Sequence, residues 1–180
     1  MRAVVALVIF LLWSAGGCRS THVPPPQPPL ASTIGLTTPQ YFDVVRAQCA
    51  PPAGWLPEPL KQDALHTHQL WLSPTRRTAY GVIHFNLPLP VSTDLALWGF
   101  LAQMKRTEGQ ATLLEKQSDA NQNQLRFVAE GGQHRVRANL LVHGFEGWAI
   151  YAGTLKDDAV DAHELSLAEN ARDHTEIRPR

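Results

Sequence analysis

The chain predicts an α+β fold: one antiparallel β-sheet of about six strands with helices packed against it. Three observations carry this. Segments with strand-like alternation follow one another across short turns, which pairs neighbours antiparallel. The helical patterns stand outside those runs, in the order helix, two strands, helix, about four strands, helix. No internal repeat with a period of about 20–50 residues is present, which sets aside solenoids and propellers.

The folded part is expected over 36–180. Thr38 and Pro39 read as N-cap and first helical residue of a short helix, with Phe42, Val45 and Cys49 on one face. Pro51 and Pro52 end it, and an irregular stretch holding Pro57 and Pro59 follows. Residues 65–72 (LHTHQLWL) alternate as a strand, and Pro74 sits second in a turn that returns the chain as a strand over 78–87. Ser92 or Thr93 caps a helix over 94–107. Asp94 lies in its first turn, Lys105 and Arg106 in its last, and Gly109 stops it. Leu97, Trp98, Leu101 and Met104 form its apolar stripe, with Phe100 flanking. Strands are expected over 111–116, 125–130, 133–143 and 148–155, the middle two joined by a Gly131-Gly132 hairpin loop. Asp157 or Asp158 caps a last helix to about 174, and 175–180 is a polar tail.

Ahead of the domain, 1–17 has the build of a secretory signal peptide: Met1 and Arg2 as a basic head, an apolar run over 3–13, then small residues over 14–17. The run is too short for a spanning helix, which takes about 20 apolar residues. Cys18 follows the small residues directly. That arrangement resembles the bacterial lipobox, although Ala15 stands where leucine is usual. The resemblance implies that 1–17 are removed and that Cys18 carries lipid. Arg19, rather than aspartate, follows the cysteine; by resemblance to enterobacterial sorting this favours the outer membrane over the cell membrane. The domain would face the periplasm or the exterior. Residues 18–35 form a tether. Its prolines at 24, 25, 26, 28 and 29 impose an extended polyproline II spacer.

Pro52-Ala53-Gly54-Trp55, the hairpin over 65–87, the helix over 94–107, the meander over 125–155 and the helix over 158–174 together resemble the PsbP/Mog1 fold, including small DcrB-type envelope lipoproteins. The resemblance is a pattern of elements covering about two-thirds of the chain. It implies an accessory protein that binds other proteins or membrane-associated assemblies without catalysis. It transfers no functional residue.

The formal net charge is zero, with 16 basic and 16 acidic residues, so nothing draws the chain as a whole to nucleic acid. Arg76-Arg77 and Arg135/Arg137 are tight basic groupings, and each is short. Cys18 and Cys49 are the two cysteines. With Cys18 acylated, Cys49 is a buried inert thiol; with Cys18 free, the two could pair as a disulfide.

His66 and His68 share one face of their strand. If Trp71 faces Ala79 across the turn, His66 faces His84, and the three imidazoles could hold zinc. A one-residue slip moves His84 to the other face. The plainer expectation is a strand face that tolerates histidine, with no metal and no cofactor. Arg135, Arg137 and Asn139, with Arg126 from the neighbouring strand, form either a small anion-binding patch or a solvent face. Phe145, Trp148 and Trp55 offer an exposed aromatic surface or, more simply, core. His143, Glu146, His163, Glu164 and His174 match no metal-ligand spacing. No nucleophile motif or phosphate-cradling glycine loop is present. The expected function is therefore a lipid-anchored, non-catalytic binding or accessory module, with the membrane and an envelope protein as partners. The alternative is a metal-binding or enzymatic envelope protein using His66, His68 and His84.

Overall fold

The computed structural model describes residues 35–63, 66–119, 123–156 and 160–179. The expected signal peptide, Cys18, the tether up to residue 34, and Asp157 and Asp158 lie outside the described residues. Among the described residues no helix is long and apolar enough to cross a membrane.

The expected single six-stranded sheet is instead an eight-stranded sheet and a separate three-stranded one. Two of the added strands are β3 (Leu56–Pro57) and β4 (Lys61–Gln62), which lie in the proline-rich stretch expected to be irregular. Both pair with β5 (His66–Leu72), which pairs in turn with β6 (Thr78–Asn86). Proline is tolerated there because β3 is an edge, where no ladder donor is lost. A meander of β7 (Ala111–Asp119), β8 (Gln124–Gly131), β9 (His134–His143) and β10 (Glu146–Leu155) completes the sheet. Its last strand pairs with β6, giving the order β3-β5-β6-β10-β9-β8-β7.

The helix α1 (Thr93–Glu108) begins and ends as the sequence predicts. Ser92 Oγ accepts from Leu95 N at 3.2 Å, and Gly109 takes the left-handed conformation at φ 79°. Its buried face is Ala96, Leu97, Phe100, Gln103 and Met104, which packs over β7, β8 and β9. Trp98, expected in the apolar stripe, is 64% exposed. It sits one position past Leu97, so it points away from the row Leu97, Phe100, Met104.

The second helix, α2 (Ala162–Asp173), starts later than expected because Asp161 takes the N-cap role, accepting from His163 N at 2.8 Å. It lies on the opposite face of the sheet, over β10 and β6.

The first expected helix is a hairpin. The strands β1 (Gln40–Phe42) and β2 (Ala47–Cys49) pair Phe42 with Ala47, and Arg46 turns the chain at φ 53°. A single turn of helix is a weak structure on its own. The hairpin is favoured by tertiary partners: β2 also pairs with β11 (Glu176–Ile177), in what looked like a polar tail, and Trp148 Nε1 donates to Val45 O at 3.0 Å.

The hairpin after β8 also shifts, to Gly132-Gln133. Glu108 Oε2 accepts from Gln133 N at 3.0 Å and His134 N at 3.2 Å, so the end of α1 shapes the loop.

Two cores result. On the α1 side Ile83, Phe85, Phe100, Phe127 and Leu140 pack together; on the α2 side Trp71, Tyr80, Trp148, Cys49 and Ala168 do. The strands β6 and β10 are covered on both faces, so nearly every residue in them is buried.

Gly81 is required by this packing. A Cβ there would lie 2.6 Å from the Tyr151 hydroxyl, which His68 Nε2 holds at 2.7 Å. Gly81→Ala is expected to push the ring off His68 and cost about 1–3 kcal/mol. Urea unfolding checks this, and a cost below about 0.5 kcal/mol would show that the ring has room to move.

Candidate functional site

The far end of the sheet, where α2 no longer covers it, holds the candidate site. Strand alternation puts Arg126, Val128 and Glu130 of β8 on one face. Their partners across the ladder are Asn139, Arg137 and Arg135 of β9. Asn139 faces Ile150, a member of the α2-side core, so this row lies on the α2 face. Between it, the edge strand β7 and the flank of α2 opens a cleft of about 790 Å³. Arg126, Arg135, Arg137, Arg172, Gln117 and Asn139 contribute to its walls.

Three of the four arginines are neutralised by carboxylates. Arg135 donates to Glu130 through Nη2 at 2.7 Å, and Arg137 to Glu169 at 2.7 Å. Arg172 holds Asp173 through two bonds of 2.9 and 3.1 Å. Arg126 differs. Among the described residues it makes no ion pair and no hydrogen bond, and its charge is felt at Asp173. Burial alone would raise the Asp173 carboxyl, but the bonds and charge of Arg172, the Asn139 hydrogen bond and the Arg126 charge outweigh it and hold the group below its usual value.

Asn139 is 5% exposed. Its Nδ2 donates to Asp173 Oδ1 at 3.4 Å, while its Oδ1 receives no hydrogen bond from the described residues. The amide orientation follows from chemistry. Asp173 stays ionised and is acceptor-only, so it must face the amide nitrogen. The cleft wall therefore holds the Arg126 guanidinium near the buried Asn139 amide and the ionised Asp173 carboxylate.

The sequence-predicted histidine cluster does not form. Trp71 faces Tyr80, not Ala79, so His84 faces Thr67. The turn after β5 takes one residue more than expected, with Arg76 at φ 60°. His66 and His68 lie on the α1 face, and His84 lies on the α2 face against Trp148, ring centroids 5.1 Å apart. Each has other partners: Asp63 for His66 at 2.8 Å, Tyr151 for His68, and Glu146 for His84 at 3.5 Å. Among the described residues no group of three His, Cys, Asp or Glu side chains could hold a metal ion.

Cys49 is buried, and burial pushes its thiol up to about 11, so it stays protonated and inert at neutral pH. Glu146 pairs with Arg46 as well as His84, and Glu164 accepts from Thr75 Oγ1 at 2.6 Å. His174 Nδ1 bonds Asn170 O at 2.9 Å at the end of α2. Trp148 and Trp55 are core, and Phe145 is exposed. The expected aromatic surface of Phe145, Trp148 and Trp55 is thus not one surface.

Sequence reasoning found Arg126, Arg135, Arg137 and Asn139 but missed Glu169, Arg172 and Asp173. The spacing of Glu169 and Arg172, three apart on one helix face, was the available signal. Comparison against protein-family models and against curated proteins gives no match to this chain.

Proposed function

We propose that this is a lipid-anchored cell-envelope protein whose α+β domain is a non-catalytic binding module of PsbP/Mog1-like type. The lipid on Cys18 holds it to the cell membrane or outer membrane, facing the periplasm or exterior. The observation that carries the binding role is the cleft at the end of the sheet, where Arg126, among the described residues, makes no direct ion pair while its charge acts on Asp173. The element order of hairpin, helix, meander, helix supports the family resemblance. An envelope protein partner fits the same reading. Nucleic acid does not, since a chain of zero formal charge with three of the cleft's four arginines held by carboxylates offers no track for a polyphosphate.

The anchor is tested by expressing the full chain and its Cys18→Ala variant in a lipoprotein-competent bacterium. The wild type is expected to partition into detergent with the mass of a chain starting at acylated Cys18, and the variant to remain aqueous. Equal aqueous partitioning of both would end the anchored reading.

A further inference from the structure

We infer that the outer face of α1 docks on an anionic lipid surface, the membrane to which Cys18 tethers the domain. This deepens the anchored reading proposed above and rests on it.

The helix carries two stripes. The inner one is the buried row that packs over β7, β8 and β9. On the opposite side Leu95, Trp98, Ala102, Lys105 and Arg106 follow one another at spacings of three and four, which sets them in one line along the helix surface. All five are exposed, Trp98 to 64% and Leu95 to 46%. The other helix gives an internal comparison. On the solvent side of α2, His163, Ser166, Asn170 and Asp173 fall at the same spacings, and all four are polar. A helix can therefore cover a face of this sheet with a wholly polar outer stripe, so the apolar one on α1 calls for a surface of its own.

Charge identifies that surface. Among the described residues neither Lys105 nor Arg106 has a carboxylate partner. The two acids of α1 are already held, Asp94 by Lys116 at 2.6 Å and Glu108 by His134 at 3.0 Å. The stripe is thus apolar through Ala102 and positive at its C-terminal end. Tryptophan and leucine followed by unpaired cations suit a helix lying in a bilayer interface, with the ring at headgroup level and the cations on lipid phosphates. A second copy of the chain would bring the same positive stripe and leave both cations unmatched.

The docking contact need not be strong. A lipid on Cys18 makes it intramolecular, at an effective concentration on the order of millimolar. The chain joins the domain on the α2 side, where Leu36 packs against the core. Residues 18–34 span at most about 60 Å, and a domain of this size is about 40 Å across, so α1 can still turn to the bilayer.

The test is fluorescence quenching by brominated acyl chains. The processed full chain is added to brominated vesicles of phosphatidylethanolamine and phosphatidylglycerol, with brominated phosphatidylcholine vesicles for comparison. From Cys18 onward the other tryptophans, Trp55, Trp71 and Trp148, are buried, so Trp98 is the ring that lipid can reach. Its emission is expected to fall on the anionic vesicles and to fall less on phosphatidylcholine. Trp98→Phe should abolish the quenching while the protein stays on the vesicles through Cys18. Lys105→Gln and Arg106→Gln should each lower the ratio of docked to undocked protein about fivefold, the worth of one cation at an anionic surface. All three positions are exposed, so the fold tolerates the changes. Unquenched Trp98 on anionic vesicles, quenching that persists in Trp98→Phe, or indifference to both charge substitutions would overturn the inference. Unquenched Trp98 in a protein that runs as a dimer in detergent would assign the stripe to a second copy instead. The anchored reading fails separately. Unquenched Trp98 in a protein that partitions through Cys18 removes the docking face and keeps the anchor, whereas quenching without acylation of Cys18 keeps the face and removes the anchor.

Discussion

Trp148→Ala is expected to destabilise the protein by about 3–5 kcal/mol, the usual range for removing a buried tryptophan. Trp148 is 0% exposed and stands in the centre of the α2-side core, between β6 and β9 in the sheet. Its neighbours come from elements far apart in sequence: Val45 from the β1–β2 turn, His84 from β6 and the alanines of α2. None of these can collapse into the space without breaking strand pairing, so the cavity term adds to the transfer term. Trp148→Phe separates two contributions. It keeps most of the volume but leaves the Val45 carbonyl without its 3.0 Å donor, and should cost about 1–3 kcal/mol. Chemical denaturation of both variants checks the pair. A cost below about 1 kcal/mol for Trp148→Ala would mean that the turn at Arg46 and the helix α2 are held by something other than this side chain.

The elements most legible in the sequence are those with local causes. The hairpin of β5 and β6, the caps of α1 at Ser92 and Gly109, and the meander from β7 to β10 are set by alternation, turn residues and capping chemistry within a few positions. The failures have distant causes. Residues 40–49 form a hairpin because β11 lies beside β2 and because Trp148 binds the turn, neither of which a local pattern can show. The register of β5 on β6 depended on one extra turn residue, and with a period of two that single residue moved His84 to the opposite face.

The candidate site divides the same way. That Arg126, Arg135, Arg137 and Asn139 share a face follows from alternation and the hairpin loop. Which arginine is left without a carboxylate does not, because Glu169 and Asp173 arrive from α2, more than thirty residues further along the chain than Arg137 and Asn139. Charge sums over a sequence count the same arginines whether or not they are paired. Arg135 and Arg172 find carboxylates close in sequence, in Glu130 and Asp173, and only the packing of α2 gives Arg137 its Glu169.

Acidification is expected to weaken the fold through His68 in particular. Burial, then the charges of Lys61 and His66, lowers its pKa from 6.5 to about 3. In that window the unfolded chain takes up a proton that the folded chain refuses. The stability tied to neutral His68 is therefore fully present above pH 6.5 and is lost progressively as the pH falls towards 3. One group with this displacement contributes a slope of about 1.4 kcal/mol per pH unit. Between pH 6.5 and 5 that amounts to about 2 kcal/mol, a large part of the stability of an ordinary domain. The structural reason is the bond to Tyr151, whose hydroxyl lies 2.7 Å from His68 Nε2. Burial raises the phenol well above its usual value, so it stays neutral and offers no counter-charge to an imidazolium. Other groups titrate in acid too, and the comparison that isolates His68 is His68→Gln, which keeps a polar partner for Tyr151 but binds no proton. Urea unfolding of both proteins between pH 7 and 5 should give a steeper loss in the wild type, with the two curves separating by about 2 kcal/mol at pH 5. Parallel curves would mean that the strand β5 opens enough for the imidazole to be solvated when charged. The α1-side core around Tyr151 and Gly81 would then be looser than its packing implies.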